Sequence, residues 1–249
     1  MNPANAAKTG ILSAKIISRG VKSSDYFLES KKGYFHAMSD EVDTNMITDG
    51  LGEIFTITES YMKPYPSCRH THCGIECALD VRKRLPLGAK IKDVKVYIYK
   101  NAIDIAGQIK VPKVSDDAKF SVHYSLAVAL LEGHFNLGDL DISHMSDELL
   151  RAIDSIELIV DPTMEDRDKG IRGSRVVVTT EDGTEYEKTV LIPLGDAANP
   201  LTWYDLEEKL SACSDGLVTK ENQKKLLLNI HNFDKLHKID TINLYNIQL

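Results

Sequence analysis

Glu181-Asp182-Gly183-Thr184 separates two runs rich in β-branched residues, Arg175–Thr180 and Glu185–Ile192. An Asp-Gly pair in that setting supplies the positive φ that a tight hairpin needs, so it commits the chain to two antiparallel strands. Further strands are predicted at Val94–Tyr99, where Val94, Val96 and Ile98 alternate with more polar residues, at Ile156–Val160, and at Glu53–Thr58. Between and after them the apolar spacing is helical. One helix is predicted over Ala6–Arg19, short ones around Tyr26–Glu29 and Thr44–Thr48, and one from Cys68 to Leu85 with a buried stripe of Gly74, Ala78, Val81 and Leu85 and with Glu76 lying away from it. Asp116 and Asp117 are read as the cap of a central helix with Phe120, Tyr124, Ala127 and Leu131 on one face. Lys100–Ser115 reads as a long loop, Ser146–Ile153 as a helix, and Leu201–Ile230 as two helices joined at Ser214-Asp215-Gly216. Strands with helices between and after them give an α+β fold with a mainly antiparallel sheet.

Thirty Lys and Arg against 37 Asp and Glu leave a net charge of −7, and no basic run overrules that average. Nucleic acid is therefore not an expected partner. No apolar stretch approaches the length of a membrane span, and the N-terminus lacks the charged-then-apolar order of a secretion signal. A cytoplasmic location without membrane association is the expectation. It suits the cysteines too, because Cys68, Cys73 and Cys77 are crowded while Cys213 stands alone, unlike a secreted disulfide framework.

Reactive groups concentrate in Lys63–Cys77, which holds Lys63, Tyr65, Cys68, Arg69, His70, His72, Cys73, Glu76 and Cys77. Pro64 and Pro66 force an extended approach, which makes Ser67 the expected helix cap. A helix N-terminus at Ser67–His70 attracts a carboxylate, with Lys63 and Arg69 adding charge, and lowers the pKa of a thiol such as Cys68. The alternative from composition alone is solvated cations, ordinary histidines and packed cysteines. Zinc is a third reading for Cys68, His72, Cys73 and Cys77, but their spacing fits no strong zinc pattern, so no metal is expected. His123 and Tyr124 fall on the buried helix, where core roles are expected. His36, His134, His144, His231 and His237 are read as structural or solvent-facing.

The segment Lys63-Pro64-Tyr65-Pro66-Ser67-Cys68-Arg69-His70-Thr71-His72 resembles the opening of a long helix in the MmgE/PrpD family. Ala118–Tyr124 with Leu130-Leu131-Glu132-Gly133 is similar to a second block of that family, and Asp161-Pro162, Gly173–Val176 and Asp182–Thr184 resemble its hairpin region. Asn199–Thr202 with Asp205–Lys209 resembles its C-terminal helical start, and Leu28–Phe35 its linker. The resemblance implies a lyase or isomerase, like 2-methylcitrate dehydratase, cis-aconitate decarboxylase and iminodisuccinate epimerase, that acts without a cofactor or metal on small di- and tricarboxylates. By resemblance Lys63 is the active-site lysine. Cys68 takes the place of a catalytic histidine of the decarboxylase branch. The Cys-Arg-x-x-His pattern is similar to the epimerase branch and brings in Arg69 and His72. The implied set is Lys63, Cys68 and His72 as catalytic residues, with Tyr65, Ser67, Arg69 and His70 binding substrate.

Family enzymes are longer and begin with an all-helical domain. The resemblance therefore implies that residues 1–52 are a remnant helix and linker of that domain, 53–198 the α+β domain, and 199–249 C-terminal helices. An all-helical partner subunit, homo-oligomerisation, or both, are expected partners. Two readings follow, half of a split enzyme or a truncated, noncatalytic interaction domain.

Overall fold

The computed structural model describes residues 2–235. His237 and the rest of 236–249 lie outside the described residues. The chain divides into two compact units with the boundary between Thr56 and Ile57.

The first unit is helical. It contains α1 (Asn2–Ile17), α2 (Tyr34–Met38) and α3 (Asn45–Thr48). No residue of α1 is buried, and Ile11, Leu12, Ile16 and Ile17 are all exposed. Residues 25–29 form turns where a short helix was expected. Glu53–Thr58 is not a strand: turns lead into the 3-10 helix Thr56–Glu59. Its alternation of apolar and polar residues meets no neighbouring strand, and an extended segment without a ladder leaves its backbone groups unpaired.

The second unit is the α+β body, and its elements follow the periodicities of the sequence. After α4 (His72–Arg84) come β1 (Ile91–Ile98), α5 (Lys100–Ala106), α6 (Ser115–Ala118), α7 (Val122–Glu132) and α8 (Asp147–Asp154). Strands β2 (Ile156–Val160), β3 (Glu165–Asp166), β4 (Ile171–Arg172), β5 (Ser174–Thr180) and β6 (Glu185–Val190) follow, and α9 (Trp203–Ser214) and α10 (Lys220–His231) close the described chain. The main sheet has the order β2-β1-β5-β6. β1 runs parallel to β2 and antiparallel to β5, and β5 and β6 form the expected hairpin. Gly183 sits in its turn at φ 85°, a conformation that glycine adopts without strain. The sheet is thus mixed, with antiparallel pairs in the majority.

Val94 and Val96 of β1 lie beside Val178 and Val176 of β5 in register, Ile98 lies beside Ser174, and all six are buried. α4 packs on β5 and β6, and α7 packs on both α4 and α8. Nearly every residue of α7 is buried, as expected for a central helix. Its start differs from expectation, because the chain turns between α6 and α7. Ser121 caps α7 by accepting the Tyr124 N–H at 3.0 Å, while Asp117 accepts the N–H of Lys113 and Val114. Phe120 consequently lies outside the helix and is exposed. The first half of Lys100–Ser115 is α5 rather than loop, with Ala102 and Ala106 buried one turn apart.

Candidate functional site

Met62 donates its N–H to the Gly195 carbonyl at 2.8 Å, which fixes the start of the Lys63 segment against a distant loop. Pro64 and Pro66 then keep the chain extended as far as Ser67. The α-helix begins later than the sequence suggests. Cys68 precedes a 3-10 turn, Arg69–Thr71, and α4 starts at His72. Ser67 is not its cap, for its hydroxyl is 2.7 Å from that of Thr71, which in turn donates to the Cys68 carbonyl. The free N–H groups of α4 therefore do not lie at Ser67–His70.

The Ser67 carbonyl gathers two predicted site residues. Lys63 Nζ donates to it at 3.2 Å and His72 Nε2 at 3.4 Å. His72 is buried, its ring packs edge-on against Tyr65, and its Nδ1 has no partner among the described residues. Burial, assisted by the nearby Lys63, Arg69 and Lys209 charges, pushes the imidazole down to about 4 against the bond to Ser67, so His72 is neutral near pH 7. Burial, with Glu76 and Asp205 nearby, pushes the Tyr65 phenol up. Tyr65 therefore keeps its proton.

Lys63 and Tyr65 line one cleft of about 510 Å³, and Asp205, Glu208, Lys209 and Cys213 of α9 form its opposite wall. Lys209 reaches over to donate to the Lys63 carbonyl. The other predicted residues face elsewhere. Arg69 pairs with Asp196 and stacks 4.3 Å over the Tyr61 ring. His70 Nδ1 meets the hydroxyl of Tyr99. Burial, then the nearby Arg172, lowers the His70 pKa. Cys68 is half-buried, and its N–H goes to the Lys119 carbonyl at 2.8 Å. Among the described residues no three His, Cys, Asp or Glu side chains are grouped to hold a metal ion. Cys73 and Cys77 instead donate to the carbonyls of Arg172 and Ser174, at 3.2 and 3.4 Å.

Sequence reasoning counted Glu76 among the reactive groups of Lys63–Cys77 but set it away from the buried stripe of its helix, and it did not single out Lys209 or Asp196. Glu76 is half-buried and accepts the Leu194 N–H at 2.7 Å. Burial raises its carboxyl from 4.5 to about 7, against the opposing pull of that N–H, Arg69 and Lys188. Loop 193–199 is thus held to the site by Glu76 on Leu194, Arg69 on Asp196 and Met62 on Gly195. No local pattern announces contacts between residues so far apart in sequence. Lys209 does carry a signal, since it stands one turn after Asp205 on the cleft face of an amphipathic helix.

The MmgE/PrpD C-terminal domain model matches residues 65–235. The chain belongs to the MmgE/PrpD family. The match runs from Tyr65 through α10, so it takes in the whole sheet and α4 while Lys63 stands just before it. An α+β body with a mainly antiparallel sheet is the fold expected for this MmgE/PrpD domain, and it is the fold observed. Among curated proteins nothing matches the chain.

Proposed function

We propose that this chain is one half of a lyase or isomerase that acts on a small di- or tricarboxylate by moving a proton next to a carboxylate, with its active site completed by an all-helical partner in the cytoplasm. One observation carries the reading. Lys63 is exposed at a cleft of about 510 Å³, and a second ammonium, Lys209, is bonded to the same backbone segment. Removing a proton beside a carboxylate builds negative charge, and two positioned cations meet it. Protonated Tyr65 adds a hydrogen-bond donor on the same wall. His72, neutral and set behind Ser67, positions Lys63 and Tyr65, and the Arg69 pair with Asp196 holds the supporting loop. The exposed apolar residues of α1, and separately Trp203 of α9 and Leu228 of α10, are surfaces for the partner.

A second reading, a noncatalytic interaction domain, is favoured by one specific observation. Arg69, His70 and His72 are each already bonded within the chain, which leaves the cleft with few groups for chemistry. Tagged purification from source cells, with native mass spectrometry of the assembly, separates the two readings. For a split enzyme, a helical protein comes down stoichiometrically and the complex exchanges substrate C–H with deuterated solvent when given small polycarboxylates. Lys63→Ala then lowers that rate about 100-fold or more while the assembly persists. Recovery of the chain alone, or a Lys63→Ala complex as fast as wild type, removes the proposal.

A further inference from the structure

At the far end of α4 from Lys63 lies a second cleft, of about 570 Å³, between the ends of α4 and α7, the side of α8 and the approach to β1. Its apolar lining includes Leu85, Ile91, Leu130 and Leu131. Three cations border it, Arg82, Lys90 and Arg151, against two carboxylates, Glu148 and Glu181. Most cations elsewhere on this body have partners. Arg84, two residues beyond Arg82 on the same helix, bonds both Asp80 and the Glu187 carbonyl, Arg175 reaches Glu187 at 3.3 Å, and Lys110 reaches Asp154 at 2.7 Å. The guanidinium groups of Arg82 and Arg151 have no ion-pair or hydrogen-bond partner among the described residues. Arg151 stands three residues after Glu148, a spacing that pairs readily, yet the two form no ion pair.

Both arginines lie in the last turn of a helix, where a cation offsets the helix dipole. That accounts for positive charge there. It does not account for two unpartnered guanidiniums bordering one concave, apolar-floored space of the size that small ligands occupy. A guanidinium presents a planar fork of donors that matches an anionic oxygen pair. We infer that this cleft binds a small organic anion, its charged head between Arg82 and Arg151 and its apolar body over Leu85, Leu130 and Leu131.

The cleft shares no lining residue with the Lys63 cleft, so the inference stands or falls apart from the proposed activity. The test is titration of the full isotope-labelled chain with octanoate, followed by amide NMR, with inorganic phosphate as a head-only probe and octanol as a body-only probe. Octanoate is expected to bind saturably and to shift the amides of Gly88–Ile91, Leu130 and Arg151. Arg82→Gln and Arg151→Gln each weaken it roughly tenfold, and Lys63→Ala binds as wild type. Unchanged circular dichroism and melting establish that the Gln variants fold. Should either not fold, Arg→Lys keeps the charge but loses the fork, and must still weaken binding. The inference is overturned by an absence of saturation, by phosphate or octanol binding as tightly as octanoate, by variants that bind like wild type, or by loss of binding in Lys63→Ala.

Discussion

Glu76 Oε1 accepts the backbone N–H of Leu194 at 2.7 Å, and this bond ties α4 to the loop that carries Gly195 and Asp196. Burial makes the ionised carboxylate costly and lifts its pKa from 4.5 to about 7. Between those values the folded chain holds a proton that the unfolded chain has released. The Glu76 contribution to stability therefore falls as pH rises from 4.5 to about 7 and stays low above that. Glu76→Gln keeps a carbonyl acceptor for Leu194 and removes the titration. Urea unfolding across this range is expected to give equal stability at the acid end and a variant more stable by about 3 kcal/mol at about pH 8. Parallel curves for the two proteins would show that Glu76 titrates normally.

His72 and His123 act in the opposite sense. Burial lowers both imidazoles from 6.5 to about 4, with Lys110 adding to the effect on His123. The unfolded chain then takes up protons that the fold refuses, so stability is lost as pH falls from 6.5 to about 4. These two histidines, with the lowered His70 acting in the same sense, outweigh one Glu76 where the ranges overlap, between 4.5 and 6.5, and the wild-type curve should rise with pH there. His72→Gln, whose amide can still donate to the Ser67 carbonyl, should remove the His72 share of that rise and leave the shares of His123 and His70. A curve as steep as wild type in the variant would assign the rise to other groups.

The helices and strands of the α+β body were readable because their causes are local. Val94, Val96 and Ile98 alternate whatever they meet, Asp182-Gly183 turns the chain by its own backbone preference, and Ser146 and Thr202 cap the helices that follow them. α5 reads as loop although Ala102 and Ala106 lie one helical turn apart, because Lys100 and Asn101 before them and Asp104 between them mask the pattern. Glu53–Thr58 misled because alternation signals a strand only where a partner strand exists. The site was legible as a segment and not as a geometry. Lys63 and Tyr65 reach a cleft, whereas Arg69 and His70 bond Asp196 and Tyr99, distant residues with no imprint on local sequence. Glu76 falls away from the apolar stripe of its helix, and the bond that engages it comes from Leu194, in the chain returning after β6.

Gly195 is the point where that returning chain touches the Lys63 segment. Its φ is +86°, and a Cβ built there would stand 1.9 Å from the Met62 carbonyl oxygen. Gly195→Ala therefore meets both backbone strain and a collision with main chain that no rotamer relieves. It should cost at least about 2 kcal/mol in unfolding free energy. The Met62 amide should lose its hydrogen-exchange protection, because the bond to Gly195 is the one displaced. Full stability with Met62 still protected would mean that the loop relaxes freely and does not fix the segment.

Arg69 links this loop to Glu76 by charge. Its guanidinium pairs with Asp196, with the two side chains 12% and 25% exposed, and it is also one of the cations that pull the Glu76 carboxyl down. A pair this shielded should show a coupling energy on the order of 1–2 kcal/mol in a double-mutant cycle of Arg69→Ala and Asp196→Ala. The two single variants should also move Glu76 in opposite directions. Without Asp196 the guanidinium has no carboxylate partner but Glu76 close by, and the Glu76 midpoint should drop below about 7. Without Arg69 the carboxyl loses a favourable charge and gains an unpaired Asp196 on the neighbouring loop, so its midpoint should climb. Carbon-13 NMR titration of the Glu76 carboxyl reads both shifts directly. Midpoints that move together, or not at all, would mean that Arg69 acts only through packing over Tyr61 and not through its charge.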